Sequence, residues 1–534
     1  MSGREAFDYI VVGAGSAGCI LANRFSRDCR VLLLEAGGRD WNPMISVPLM
    51  TRLLYHMPSI NWGYDTVPQA HLGGRTVHWP RGKVLGGSSS INGMVYARGH
   101  RDDYDAWAAK GLEGWSYDAV LPYFLRSEAH SDKGAPYHGK EGPLRVTTPP
   151  ATGPLAQAFL AACEEAGLPA TDDFNGDRQE GFGRHDYAIF RGRRQNTARA
   201  FLDPVRTRPT LKVRTRAHVT RIDVERGRAV GVTYVLPDGR EEKVRADREV
   251  VLAGGAVNSP QLLLLSGIGP ADSLRSLDIA CNAELPGVGQ NLHDHAGVYV
   301  VLDCTENVTF NRLIRPDRAV AATAAAWLFG VGPGALMQSQ ASAFARSRSE
   351  LGKPDVQLTF MPGLPTQRLL QWGAWRENGF IIHVYQLRPE SRGTLSLRSA
   401  DPLEKPLIDP NYLAAAADVM ALKAGLQVVR DVARQPALRR WTKAERLPGP
   451  DVAGDAELER WIRASASTSF HPVGTCAMGL RPENGAVVDA ALRVHGVAGL
   501  RVADASVMPD ITGGNTAAPT MMIAERAADL ILAA

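Results

Sequence analysis

The chain runs to 534 residues, 45% hydrophobic and 22% charged, and its 60 basic and 56 acidic side chains leave a formal net charge of +4. That length calls for two domains, or one domain carrying an insertion. A charge balance this even implies neither a nucleic-acid partner nor an anionic membrane surface.

The cysteines, Cys19, Cys29, Cys163, Cys281, Cys304 and Cys476, form no CxxC pair, which fits reduced thiols better than a disulfide framework. The opening segment MSGREAFDYIVVG has no secretory apolar core ahead of its first strand. The longest apolar stretch, Ala319 to Met337, is broken by glycines and a proline, so a buried helix and turn is expected there and not a membrane span. The expected setting is the cytoplasm.

In chain order, Phe7–Val12 predicts a strand, residues 13–18 a glycine turn, the residues to about Ser26 a helix, and Arg30–Glu35 a second strand. In Gly13-Ala-Gly15-Ser-Ala-Gly18 the first glycine permits the tight bend and the second admits a pyrophosphate close to the backbone. The third lets helix and strand pack, while the helix N-terminus supplies amide donors. Glu35 stands where a carboxylate can accept from ribose hydroxyls, and an acid there disfavours a 2′-phosphate. NAD and FAD both remain open at this point.

Residues 41–80, dense in proline and aromatics, read as a loop or lid. Next, RGKVLGGSSSINGMVYARG (81–99) offers exposed amides and hydroxyls suited to a second phosphate or ring contact, and VVLAGGAVNSPQLLLLSGIG (250–269) reads as strand, glycine turn and helix. Alternating segments at 355–362, 379–389 and 393–399 predict an antiparallel sheet, with helices around 317–330 and 411–434. A last strand ends near Asp504, and a terminal helix begins near Ala517 or Pro519. No metal is expected: His471 has only Cys476 nearby, and in NLHDHAG the consecutive His293, Asp294 and His295 alternate between the two sides of an extended segment.

In their order these blocks resemble the glucose–methanol–choline oxidoreductases, a family of FAD enzymes, over essentially the whole chain. The specific signatures are GKVLGGSSSIN (82–92), GAVNSP (255–260) leading into SGIG (266–269), and the two C-terminal blocks; the bacterial, choline-dehydrogenase-like branch is the nearest likeness. The resemblance implies an α/β fold: a Rossmann-like FAD-binding domain from 1–155, 200–295 and 470–534, and a substrate-binding domain with an antiparallel sheet from 156–199 and 296–469. It implies FAD along Gly13, Gly15, Ser16, Ala17, Gly18, Glu35 and Ala36 at the adenosine end, with Val219 on the adenine-side strand. The flavin end is expected at Gly86, Gly87, Ser88, Asn92, Gly93 and Val95, and the pyrophosphate and ribityl chain at Asp504 and Ala505, with Asn515 and Thr516 beyond them. Some members attach the flavin covalently through a histidine in the SSSIN segment; Ile91 stands there in this chain and has no nucleophile, so the expected FAD is noncovalent.

In SFHPVGTCAMG (469–479) the family pattern makes His471 the catalytic base, and Asn515 its partner. Imidazole titrates near neutrality and can take the hydroxyl proton of a primary or secondary alcohol while hydride passes to flavin N5. Asn515 can donate to the developing alkoxide. Phe470, Trp62, Tyr385 and Gln340 are the expected pocket residues. Choline-active relatives place a carboxylate in the segment where Gln340 is aligned, and an amide cannot neutralise a quaternary cation, so a neutral alcohol is expected over choline, with Asp303, Glu306 and Asp317 as possible substitutes for the missing charge. The partners are then a small alcohol and an electron acceptor (oxygen, a quinone or another). The alternatives within the fold are a hydroxynitrile-lyase type of enzyme and a light-driven fatty-acid decarboxylase.

Overall fold

The computed structural model describes residues 6–337, 339–364 and 373–534. The N-terminal half supplies strands β1 (Phe7–Val12), β2 (Val31–Glu35), β3 (Gly181–Arg184), β4 (Leu211–Thr215), β5 (His218–Glu225), β6 (Arg228–Val235) and β7 (Glu241–Leu252). Helix α1 (Ser16–Phe25) follows β1, and α2 (Gly255–Leu265) follows β7. The C-terminal half adds β8 (Ala296–Cys304), α3 (Pro316–Phe329), β9 (Ala341–Ala345), β10 (Val356–Met361), β11 (Gly379–Gln386), α4 (Ala416–Arg434), β12 (Thr442–Leu447), β13 (Ser467–Thr468), β14 (Leu500–Val502) and α5 (Ala517–Leu532).

Two seven-stranded sheets organise these elements. The first runs β4-β2-β1-β7-β6-β5, with β14 also on β7. Its centre is parallel, Tyr9 opposite Val31 and Ile10 opposite Val250. The unbroken apolar runs of β1 and β2 suit strands covered on both faces, and both are almost wholly buried. Helix α1 is likewise buried along nearly its whole length, where it packs against α5. Chain segments more than 200 residues apart therefore close one layer, and the carboxyl ends of β1, β2 and β7 share one edge.

The second sheet is antiparallel in the order β12-β8-β11-β10-β9-β3, with β13 on β8. Its central strands are buried on both faces, which differ in character. Val298, Val300, Ile382, Val384 and Leu358 join the main core on the side of α4. Gly425 of α4 makes the approach close: a Cβ there would lie 2.9 Å from Val384. The opposite face carries Tyr299, His383, Tyr385 and Gln357.

Two expectations are corrected. Leu395 and its neighbours form a separate two-stranded ladder with residues 407–409, outside the large sheet. The apolar stretch from residue 319 is helix and turn, but only Ala322 and Ala326 of α3 are buried; Val320 is 70% and Phe329 74% exposed. Small residues turn inward and large ones outward, the reverse of an ordinary core helix. Among the described residues no helix is long and apolar enough to cross a membrane.

Candidate active site

One elongated cavity runs from the carboxyl ends of β1, β2 and β7 to His471 and Asn515. At its first end Gly13 adopts φ +98°, and a Cβ there would lie 2.6 Å from the carbonyl oxygen of Ala253. A Cβ on Gly18 would sit 1.8 Å from the Gly13 oxygen, so α1 touches β1 only because residue 18 has no side chain. Gly87, at φ +52°, would place a Cβ 2.6 Å from Cα of Gly15. The two glycine loops thus meet backbone to backbone across the cavity. Glu35 ends β2 with Oε2 accepting from the Ala14 amide at 2.9 Å and Oε1 from the Gly37 amide at 2.8 Å. Burial pushes its carboxyl up to about 7, against the pull of those amides.

Of the residues expected to hold FAD, all except Gly18 and Gly86 line this cavity. Those two act one layer behind: Gly18 lets α1 pack, and Gly86, at φ +84°, turns the chain where a Cβ would meet the Ser90 hydroxyl at 2.4 Å. Val219 borders the cavity from β5. Asp504 does so with its carboxylate already engaged by the Gly255 amide, the Ser259 hydroxyl and the Ser506 amide and hydroxyl, which tie β14 to the start of α2. Exposed amides, glycines that admit close backbone approach and a carboxylate at the end of β2 fit an extended dinucleotide. Ile91 packs its side chain with Ile45, Leu54, Ile60 and Val84.

At the other end His471 follows Phe470, whose φ of +68° turns the chain sharply. The turn is held by Thr468 Oγ1, which accepts from the Phe470 amide at 2.7 Å, and by Arg81 Nη2, which donates to the Phe470 carbonyl at 2.8 Å. The His471 amide donates to Asp294 Oδ1 at 2.7 Å. Its ring is fixed at both nitrogens: Nε2 is 2.9 Å from Asn515 Nδ2, and Nδ1 is 3.0 Å from Nδ1 of His295. An amide NH₂ can only donate, so Nε2 of His471 carries the lone pair and Nδ1 the proton. His295 Nδ1 then accepts, and its own proton lies on the buried Nε2. Burial and the Arg81 charge depress His471 to about 3, so the imidazole is neutral near pH 7.

Trp62 and Phe470 line the cavity, together with Tyr55, whose ring lies 5.2 Å from that of Phe470. Tyr385 does not line it but packs behind, its ring 6.1 Å from His471 and 5.8 Å from His295. Gln340 is placed elsewhere: its Oε1 accepts from the amide and hydroxyl of Thr152 at 2.7 and 3.2 Å, a tie between two loops. Neither Asp303, paired with Arg446, nor Asp317, paired with Arg315, borders the cavity, and Glu306 does not either. His295, Asp294, Arg81 and Tyr55 went unrecognised in the sequence. Strand alternation alone would put His293 and His295 on one side, yet His293 Nε2 accepts from the Ile511 amide at 2.9 Å while His295 turns to His471.

A second buried polar cluster was not foreseen. His138 bridges Glu128 at 2.7 Å and Asp173 at 2.8 Å, Arg98 pairs with Glu128, and Lys133 Nζ stands 3.0 Å from both Asp173 and Asp186. Glu128, His130, His138, Asp173 and Asp186 include sets with metal-ligand spacing, but the Lys133 ammonium already supplies a cation at two of the carboxylates.

Comparison with known proteins gives a consistent picture. Family models described as GMC oxidoreductase match residues 7–297 and 389–524. The mitochondrial choline dehydrogenase of Mus musculus is 44% identical, over 99% of this chain and 90% of the relative. An oxygen-dependent choline dehydrogenase of Ectopseudomonas mendocina is 45% identical, over 98% of this chain and 94% of the relative. Among solved structures, pyridoxine 4-oxidase from Mesorbium loti superposes with a TM-score of 0.88 at 33% identity, covering 98% of both chains. Formate oxidase from Aspergillus oryzae superposes at 0.92 with 28% identity, covering 100% of this chain and 99% of that one.

Proposed function

The chain belongs to the GMC oxidoreductase family and is an FAD-dependent oxidoreductase of CH–OH donors, and we propose that it oxidises a neutral primary or secondary alcohol with His471 as base and Asn515 as alkoxide donor. The observation that carries this reading is the fixed ring of His471, whose Nε2 lone pair is directed at Asn515 on the cavity wall. When bound, FAD supplies the two-electron acceptor for hydride leaving the carbinol carbon. His471 takes the hydroxyl proton on Nε2, and its Nδ1–H stays donated to His295. Asn515, displaced from Nε2 by that hydroxyl, donates to the oxygen as it gains charge. Aligned general-base catalysis contributes roughly 10²–10⁴-fold. Phe470 and Tyr55 exclude water from the reacting end.

The preference for a neutral substrate rests on the charges of the wall. Glu35 and Asp504 are the only carboxylates that border the cavity among the described residues, and both accept from backbone amides at the dinucleotide end. Asp294, nearest the base, accepts from Tyr412, Thr468 and the His471 amide. Arg81 is the charged side chain that borders the reacting end. A quaternary ammonium finds no free anion there. The names of the 42–45% identical relatives favour choline as the second reading.

An anaerobic titration of the purified flavoprotein with choline, alkanols, benzylic alcohols and sugar alcohols, read as loss of flavin absorbance, separates the two. Bleaching by neutral alcohols at concentrations where choline is silent supports the proposal; efficient bleaching by choline overturns the substrate assignment. A flavin that stays oxidised with every alcohol overturns the reaction itself and favours the lyase or photochemical readings. In His471→Ala, FAD should remain bound while reduction slows by orders of magnitude; admitting air to the reduced enzyme tests oxygen as acceptor.

A further inference from the structure

Asn515 stands behind two glycines, in the run Asp510-Ile-Thr-Gly513-Gly514-Asn515. Glycine gives up more conformational freedom on ordering than any other residue, so a pair of them is a poor support for a side chain whose misplacement by about 1 Å costs rate. The backbone ahead of Asn515 is nevertheless tied down from outside. Trp107 Nε1 donates to the Asp510 carbonyl at 3.2 Å, and the Ile511 amide donates to His293 Nε2 at 2.9 Å. The two peptide groups that flank Gly513 are then gripped in opposite senses. Its amide donates to Asp103 Oδ2 at 2.7 Å, and its carbonyl accepts from Gln179 Nε2 at 2.7 Å. Space requires the glycine here, since a Cβ on residue 513 would lie 2.3 Å from Arg388 Nη2.

The gripping side chains come from separate elements, and Asp103 and Gln179 are both buried. Asp103 lies in the first turn of the helix Arg101–Ala109, where the same Oδ2 accepts from the His100 amide at 2.9 Å. Its other oxygen takes the Arg388 guanidinium, and Lys353 Nζ stands 3.7 Å from that oxygen, so the carboxylate is charge-compensated. Gln179 is two residues ahead of β3 and Arg388 two residues past β11, both strands of the second sheet. Asn515 itself leads into α5, which packs on α1 beside the first sheet.

We infer that Asp103 and Gln179 are positioning residues for Asn515, carrying the placement of the second sheet to the amide that meets the alkoxide, a role that rests on the reading of Asn515 as alkoxide donor. In that reaction the substrate hydroxyl displaces Asn515 Nδ2 from His471 Nε2, so the 2.9 Å contact between them no longer places the side chain. The backbone does, and it is set at Gly513. A donor that acts only as charge develops on oxygen governs the limiting rate when it is misplaced and leaves ground-state binding nearly untouched.

The test is anaerobic stopped-flow reduction of the FAD-loaded full chain by its best alcohol in Gln179→Met, Asn515→Ala and the double variant, with hydrogen–deuterium exchange on each. Methionine keeps the length of Gln179 and removes its donor. The limiting rate of reduction should fall roughly tenfold or more, with the half-saturating alcohol concentration changed by less than about twofold. Exchange should quicken at residues 510–516 and not across the rest of the chain. In the Asn515→Ala background the same substitution should change the rate by less than about twofold. Asp103→Asn should behave like Gln179→Met, and where it yields no folded protein Gln179→Met decides. A wild-type rate or unaltered exchange at 510–516 in either folded variant overturns the inference. So does a slowing that persists undiminished in the double variant, which would make Gln179 a support of the site at large. An Asn515→Ala variant that reduces as fast as wild type overturns instead the reading of Asn515 as donor, and the positioning role falls with it.

Discussion

The contact between His295 and His471 gives the sharpest test of the site. Replacing His295 by leucine keeps the volume and removes the acceptor for the His471 Nδ1 proton. The ring is buried, so that donor is left unpaired, at a cost of about 1–3 kcal/mol. His471 escapes the cost by moving its proton to Nε2, and in that tautomer it has no lone pair for the substrate. With about 1.4 kcal/mol for each factor of ten, the rate of flavin reduction should fall roughly 10- to 100-fold in His295→Leu. FAD content, read from absorbance, should be unchanged, because no described contact of His295 reaches the dinucleotide end. His295→Asn restores an acceptor oxygen near the position of Nδ1 and should recover most of the rate. Anaerobic stopped-flow mixing with the best alcohol measures both. A leucine variant within twofold of wild type, or an asparagine variant as slow as leucine, would refute the tautomer argument.

Three other outcomes are expected. Gly18→Ala forces a methyl against the Gly13 carbonyl, 1.8 Å away in the present backbone, and should give a colourless or weakly yellow protein of lower melting temperature; full flavin occupancy contradicts it. Arg98→Met leaves the buried Glu128 carboxylate with His138 but without its arginine, and removing one partner of a buried ion pair costs about 3–5 kcal/mol. Adding Glu128→Gln should recover part of that loss in a double-mutant cycle by thermal melts, and strictly additive losses would deny the coupling. The third concerns acid. Burial depresses His185 to about 4, and His293, His383 and His471 to about 3. The unfolded chain takes up these protons near pH 6.5 and the folded chain only near 3–4, so stability is present above pH 6.5 and is lost as pH falls through that window. Each ring contributes up to about 1.4 kcal/mol per pH unit. Glu35, raised to about 7, works in the opposite direction, as do Asp294 and Asp504, whose carboxyls burial also pushes up, but the histidines depressed by burial outnumber them. Melting temperatures should therefore drop steeply below pH 6.5, and a flat profile down to about pH 5 would contradict the neutral burial of these histidines.

What the sequence determined by itself were features whose requirement is local. A glycine that must bend the chain at positive φ, as at residues 13 and 86, has no substitute, so the glycine turns and the strand–turn–helix units around them were legible. So were β1, α1, β2 and α5, where apolar runs and helical periods leave little choice; α5 begins at Ala517, where the terminal helix was expected. The pairing of His471 with Asn515 was legible because a family pattern fixes their spacing along the chain. Tertiary structure decided the rest. Whether Gln340 meets substrate or ties down Thr152 depends on a segment 188 residues away. The partner that sets the tautomer of His471 lies 176 residues off. An apolar residue reads alike whether it faces a core or solvent, so the outward turn of Phe329 and the withdrawal of Tyr385 behind the pocket were invisible in the sequence. Burial is a property of what packs on a side chain, and that is chosen by distant parts of the chain.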